Sequence, residues 1–170
     1  MLETSRLTLR PYEVGDLPSY MTMTAEPEVY RFLAGKPLTE KEAWSRLLMY
    51  VGHWSAFGYG FFAVLDRTTG DYLGETGLAR FRRGLGTPFD TLDEAGWVFS
   101  RRVHGTGIAY EAAAAVHHWY EEQWSKPTFC LIPEENMSSF RIADRLGYQR
   151  RDGFRDLEGV ALLDRQPSRI

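Results

Sequence analysis

Leu7 and Leu9 alternate with Arg6, Thr8 and Arg10 up to Pro11, a period of two that predicts a short strand with one buried face. Asp16 can start a helix reaching to about Ala25. Over residues 39–57 the apolar positions Ala43, Leu47, Tyr50 and Trp54 return every three or four residues, and Thr39 and Glu42 have the spacing of a capping box. The stretch between these helices, residues 26–38, holds Pro27, Gly35 and Pro37 and reads as a loop. Residues 61–65 and 72–81 form the arms of an expected hairpin, turned by DRTTGD with Gly70 at a left-handed position, and residues 94–99 form the next strand. Ile108, Ala112, Val116 and Trp119 mark the best helix of the chain, whose alanines permit close packing on a sheet. A strand over residues 128–132 stops at Pro133. Asn136 can cap a helix that ends near Gly147, and residues 148–151 and 159–163 can pair as closing strands. The order β, α, α, β, β, β, α, β, α, β, β is that of a mixed α/β chain with one sheet flanked by helices, expected to be a single domain over residues 1–170.

Within this order the junction HGTGIAYEA, residues 104–112, carries chemistry. Two glycines, Gly105 and Gly107, follow an apolar strand and precede the best helix. Without side chains there, a ligand can approach the backbone, and a helix opening at Ile108 points free N–H groups and the positive end of its dipole at it. A phosphate or pyrophosphate suits such a place; an ordinary glycine loop before a helix is the plain alternative. The 20 basic and 23 acidic residues leave a net charge of −3, without the basic excess of a nucleic-acid binder. The single cysteine, Cys130, forms no internal disulfide, suits a reducing compartment, and within FCLI reads as a small core residue. The first residues lack the apolar core of a signal peptide and 18 apolar residues never run together, so a cytoplasmic protein that does not enter a membrane is expected. Arg80, Arg82 and Arg83 read as a solvated sheet edge, with contact to an acidic ligand as the alternative.

Other chemistries fit poorly. His117 and His118 point about 100° apart on a helix and do not share one metal easily, and H-E-x-x-H is missing, so no metal is expected. There is no G-x-S-x-G elbow, and Tyr110 stands where a dinucleotide fingerprint needs its third glycine.

Taken together, EAGWVFSRRVHGTGIAYEA and NMSSFRIADRLGYQRRDG resemble the GCN5-related N-acetyltransferase (GNAT) superfamily, and most closely its ribosomal-protein N-terminal acetyltransferase branch, whose opening E-T-x-R-L-x-L-R-P corresponds to residues 3–11. The resemblance implies the acyl-CoA N-acyltransferase fold, with a mixed, mostly antiparallel central sheet. The superfamily's Q/R-x-x-G-x-G/A signature fits in two registers. Arg102, Gly105 and Gly107 satisfy it literally. His104, Gly107 and Ala109 satisfy it less literally but also align Glu94, Gly96 and Phe99 with E-x-G-Y-x-L, and this register is preferred. His104 departs from the family's usual residues, which shifts the expected phosphate contacts onto the backbone.

The resemblance further implies acetyl-CoA as co-substrate. Its pyrophosphate is expected on Gly105, Thr106, Gly107, Ile108 and Ala109, its pantetheine arm beside Trp97, Val98 and Phe99 like an added strand, and Arg102, His104 and Arg145 near the phosphates, with Arg101 a further candidate. Asn136 corresponds to the residue that holds the pantetheine amides. The family's usual tyrosine acid falls on Ala143 here, and Ser139 matches the branch's substitute donor to the departing thiolate; a purely structural Ser139 stays open. Glu94 is the candidate base for the amine, if burial beside Trp97 raises its pKa, against a strand-edge carboxylate paired with an arginine. The expected reaction is acetyl transfer to a primary amine, either a protein N-terminus or a small molecule, by direct attack. A non-catalytic acyl-CoA binding or interaction module that keeps the fold is the competing reading. Acceptor specificity is expected in the helix pair with its loop around residues 31–38 and in residues 54–62 and 80–92, and a homodimer is left open.

Overall fold

The computed structural model describes residues 1–151 and 157–167. Thirteen α and β elements occur among them in the order β1 (Leu2–Glu3), β2 (Leu7–Pro11), α1 (Leu17–Thr24), α2 (Pro27–Leu33), α3 (Glu40–Phe57), β3 (Phe61–Asp66), β4 (Tyr72–Ala79), β5 (Asp93–Phe99), α4 (Ile108–Trp124), β6 (Thr128–Pro133), α5 (Met137–Arg145), β7 (Gln149–Arg150) and β8 (Val160–Arg165). The eight strands make one sheet in the order β1-β2-β3-β4-β5-β6-β8-β7. Every pairing is antiparallel except β5 with β6. The mixed, mostly antiparallel sheet expected from the sequence is therefore present. The final Asp152 and Gly153 of the second resembling stretch lie outside the described residues.

That parallel pairing positions the site. Its registers are Asp93↔Thr128 and Glu94↔Phe129 only, whereas β5 stays paired with β4 from Glu94 to Phe99. From Ala95 onward β5 and β6 part, opening a wedge along one side of β5.

Alternation along the strands splits the interior between the two faces of the sheet. On one face Leu9, Phe62, Val64, Ala95 and Phe99 pack against Ala112, Ala113 and Val116 of α4 and Ala143 of α5. On the other, Phe61, Ala63 and Ala79 pack against Tyr20 and Met23 of α1, Val29 of α2 and Ala43, Leu47 and Tyr50 of α3. A smaller cluster, Phe89, Phe129 and Leu162, closes the far half of the sheet under the β4–β5 connection. Cys130 is buried, as expected.

The helix boundaries follow local chemistry. Thr39 and Glu42 form the capping box of α3, and Gly58 closes that helix at φ 74°. Asn136 caps α5 by accepting from the Ser139 N–H, and Gly147 turns the chain away from α5 at φ 85°. The loop expected over residues 26–38 is corrected by α2. Pro27 occupies its first turn, where proline's missing N–H costs nothing and its fixed φ favours a helix, with Glu28 at the positive end and Arg31 at the negative end. The proline that read as a breaker is a starter.

Candidate functional site

The glycine junction folds as a cradle. After β5, residues 101–103 make one 3-10 turn, and Gly105 and Gly107 both adopt left-handed φ, 77° and 81°. Gly107 is the N-cap residue of α4. The first helical bond to it comes from the Glu111 N–H at 3.0 Å, and the Ile108 N–H only reaches Thr106 Oγ1 at 3.4 Å. The N–H groups of Gly105, Gly107, Ala109 and Tyr110 meet no protein acceptor among the described residues. Four donors thus stand at the positive end of a 17-residue helix. A Cβ on Gly105 would meet nothing within 4 Å, and one on Gly107 only Arg6 Nη2 at 3.7 Å, so it is backbone conformation that requires glycine here.

The cradle is tied to the start of the chain. Arg6 donates through Nη1 to the Thr106 carbonyl at 3.1 Å and through Nε to Glu111 Oε2 at 2.7 Å. Glu111 Oε1 also accepts from Thr4 Oγ1 and from the Arg6 N–H. These donors outweigh the effect of burial and hold the Glu111 carboxyl below its ordinary pKa.

The side chains expected around the cradle divide into two groups. Arg145 lies over the Tyr110 ring, its guanidinium carbon 3.5 Å from the centroid, which brings it to the first turn of α4. His104 instead folds back on β5, its Nε2–H donating to the Phe99 carbonyl at 3.0 Å. Arg102 turns to the β3–β4 hairpin, donating to the Tyr72 carbonyl at 2.5 Å with Asp71 at 3.5 Å. Arg101 is occupied on the opposite side, its main-chain N–H on Glu26 Oε2 at 2.6 Å and its Nε near Glu28.

Along the wedge, Trp97 Nε1 donates to Ser139 Oγ at 3.2 Å, linking the middle of β5 to the first turn of α5. That bond occupies a lone pair of the hydroxyl and leaves its O–H free to donate. Ser139 and Asn136 are brought together by the cap: Asn136 Oδ1 takes the Ser139 N–H at 3.2 Å, and the Asn136 NH2 makes no further protein bond among the described residues. Ala143, in the slot of the family's usual tyrosine, is fully buried core.

Glu94 is buried, but alternation sends its side chain to the face opposite Trp97. There Arg83 grips it at two points, Nε to Oε2 at 2.5 Å and Nη2 to Oε1 at 2.8 Å. Arg80 similarly meets buried Asp93, which also accepts from the Tyr59 and Tyr120 hydroxyls. The solvated edge expected for Arg80, Arg82 and Arg83 is corrected for two of the three, because buried acids on β5 need cationic partners; Arg82 alone is exposed without an acidic partner among the described residues.

One cluster escaped the sequence reading. On the α1–α3 face Glu75 of β4 is fully buried and accepts from Tyr12 at 2.7 Å and from Tyr50 at 3.1 Å. The Tyr12 hydroxyl also meets that of Tyr72 at 2.5 Å, and Arg46 Nε donates to the Tyr50 hydroxyl at 2.9 Å. Burial pushes the Glu75 carboxyl up, against the Arg46 charge and the two hydroxyls. The one signal in the sequence was a glutamate at an inward position of an otherwise uncharged strand. No group of residues fit to hold a metal ion occurs among the described residues, and none of the described helices is long and apolar enough to cross a membrane.

The fold recurs in known proteins. A solved structure from Bordetella pertussis, assigned to the GNAT-family acetyltransferases, is 31% identical and superposes with a TM-score of 0.86 over 96% of this chain and 98% of its own. The uncharacterized protein YkkB of Bacillus subtilis is 27% identical over 154 residues, covering 86% of this chain and 83% of YkkB. A GNAT-superfamily phosphinothricin acetyltransferase from Sinorhizobium meliloti, solved in complex with acetyl-CoA, shares the fold at 21% identity, with a TM-score of 0.71 over 95% of this chain and 88% of its own. The family model described as "Acetyltransferase (GNAT) domain" matches residues 6–149, and the chain, an acetyl-CoA-dependent acetyltransferase, belongs to that family.

Proposed function

We propose that this chain transfers the acetyl group of acetyl-CoA to a primary amine by direct attack. The observation that carries the reading is the Ser139 hydroxyl held by Trp97 at the wedge where β5 leaves β6. The main chain suits the co-substrate: four free N–H groups at residues 105–110 fit a pyrophosphate, and the edge of β5 that β6 abandons fits the amides of a pantetheine arm. When bound, acetyl-CoA supplies an activated thioester. Arg145 is the guanidinium best placed for phosphate charge, while His104 acts on the cradle through its bond to Phe99.

In this reading the amine nitrogen bonds to the acetyl carbon as the carbon–sulfur bond breaks. One proton leaves nitrogen and one reaches sulfur, giving the acetamide and free thiol. Ser139 delivers the proton to sulfur, because its O–H is the hydrogen that Trp97 does not occupy. Glu94 receives the proton from nitrogen through water, once the entering acceptor opens its pair with Arg83. The Asn136 amide, steadied through its oxygen by the helix cap, holds a pantetheine carbonyl.

Replacing Ser139 by Ala should lower kcat about tenfold, with the KM for acetyl-CoA changed less than twofold, in a thiol-release assay over amines and peptides. An unaltered kcat removes Ser139 from the mechanism. Coenzyme binding without turnover on any amine removes the amine reading itself and leaves a binding module.

A further inference from the structure

Among the described arginines, only Arg10, Arg46, Arg80 and Arg165 are not exposed. Three of them have carboxylates: Arg10 grips Asp16 at two points, Arg80 meets Asp93, and Arg165 pairs with Glu121. Arg46 differs. Its Nε is fixed by the Tyr50 hydroxyl, and its two terminal nitrogens meet no acceptor among the described residues. Burial works against its charge, but the fields of the Tyr50 and Glu75 oxygens outweigh that effect and keep it a cation. Glu75 balances it only through the Tyr50 hydroxyl between them, since Glu75 itself accepts from Tyr12 and Tyr50. The two prongs are not among the fully buried polar atoms, so they open toward solvent, and a part-buried guanidinium fork open on its free side can receive an anion.

A second, separate observation points to the same place. Tyr20 is fully buried and its hydroxyl has no partner among the described residues. Its ring stands edge-on to Tyr12 at 6.0 Å, Tyr12 lies tilted against Tyr50 at 5.3 Å, and the hydroxyl lies within the fields of Glu75, Tyr50 and Arg46. A buried hydroxyl left unmatched costs about 1–3 kcal/mol, a cost that a group brought to it from outside the chain would recover. The cluster also connects to the coenzyme strand. The Tyr50 ring stacks on Phe61 at 4.7 Å and 6°, and Phe61 sits against Gly96 of β5 so closely that a Cβ there would lie 2.8 Å from the ring.

We propose that Arg46, with the Tyr20 hydroxyl, receives the anionic group of the acceptor, so that the natural acceptor is a small amine bearing a carboxylate rather than a protein N-terminus. The inference rests on the amine reading above and adds its substrate class. A fork on the inner part of α3, beside a hydroxyl with no solvent exposure, admits a small carboxylate and excludes a folded chain. Arg46 orients the acceptor by its charge and takes no part in the proton transfers.

The test uses matched acceptors: L-amino acids, the corresponding L-amino acid amides, and a short peptide with a free N-terminus and no acidic side chain, each assayed with acetyl-CoA on the wild-type protein and on Arg46→Gln. The expected result is that the wild type prefers each acid over its amide by at least tenfold in kcat/KM. Arg46→Gln should raise the KM for the acids about 10- to 100-fold while changing the amides less than twofold. The affinity for coenzyme A should stay near wild type, while the melting temperature falls because buried Glu75 loses its counter-charge. Tyr20→Phe, which removes only the orphan hydroxyl, should raise the KM for the acids severalfold without loss of stability. Equal use of acids and amides, faster use of the peptide, or an equal loss on acids and amides in Arg46→Gln overturns the proposal while the amine reading stands. No acetylation of any amine overturns both.

Discussion

The two faces of the sheet make their polar sites from different material. On the α4–α5 face the cradle is main chain: free N–H groups at residues 105–110, two left-handed glycines, and a strand edge released by the parting of β5 and β6. On the α1–α3 face the polar atoms are side chains sunk among rings, Glu75, Tyr12, Tyr50, Tyr72, Tyr20 and Arg46. A main-chain site tolerates many sequences and serves a ligand common to a family. A desolvated side-chain cluster is costly to leave unmatched and changes with single substitutions, which suits whatever distinguishes one family member from another.

If this division is right, damage to one face leaves the other intact. Gly107→Glu puts a negative charge into the cradle and a side chain at φ 81°; acetyl-CoA affinity measured by calorimetry should fall at least 100-fold. The strain of a left-handed non-glycine residue, about 1–2 kcal/mol, should cost only about 5 °C in melting temperature. Glu75→Ala should do the reverse. It strands the Tyr12 and Tyr50 hydroxyls and removes the nearest negative charge from Arg46, so denaturant unfolding should show a loss of about 4 kcal/mol with coenzyme affinity changed less than threefold. A large loss of coenzyme affinity in Glu75→Ala would merge the two sites into one.

Acid should unsettle the α4 face through His117. The ring is buried, donates through Nδ1 to the Ala113 carbonyl at 2.7 Å and accepts at Nε2 from the Tyr148 hydroxyl at 2.9 Å, and burial lowers its pKa to about 4. The unfolded chain, titrating near 6.5, binds this proton more readily than the folded one. Stability is therefore full above about pH 6.5 and is lost as pH falls toward 4, by up to about 3 kcal/mol from this group. Urea melts at pH 7 and pH 4 on wild type and on His117→Gln measure it, and an equal acid loss in both proteins would assign the effect elsewhere.

What was legible in the sequence follows the same division. The cradle is local: Gly105, Gly107 and the alanine-rich helix lie within a dozen residues, and their pattern states what the backbone does. Most strands and helices were legible for the same reason, as periodicity and caps are local signals. The α2 helix was not, because Pro27 marks either a break or a first turn and only packing of Val29 into the core decides between them. Nor were the partners of Arg80 and Arg83, which depend on how β5 lies beside β4. The tyrosine cluster gathers residues from position 12 to position 75, from the residue just after β2 and from α1, α3 and β4, and no spacing announces such a set.

The central claim is that the co-substrate is held by the main chain of residues 105–110 and the freed edge of β5. Amide chemical-shift mapping with coenzyme A tests it most directly. Large shifts are expected for the Gly105, Gly107, Ala109 and Tyr110 N–H resonances and for Trp97 to Phe99, with Arg46 and Tyr50 unmoved. Shifts centred on Arg46 and Tyr50, with the cradle amides unmoved, would contradict it.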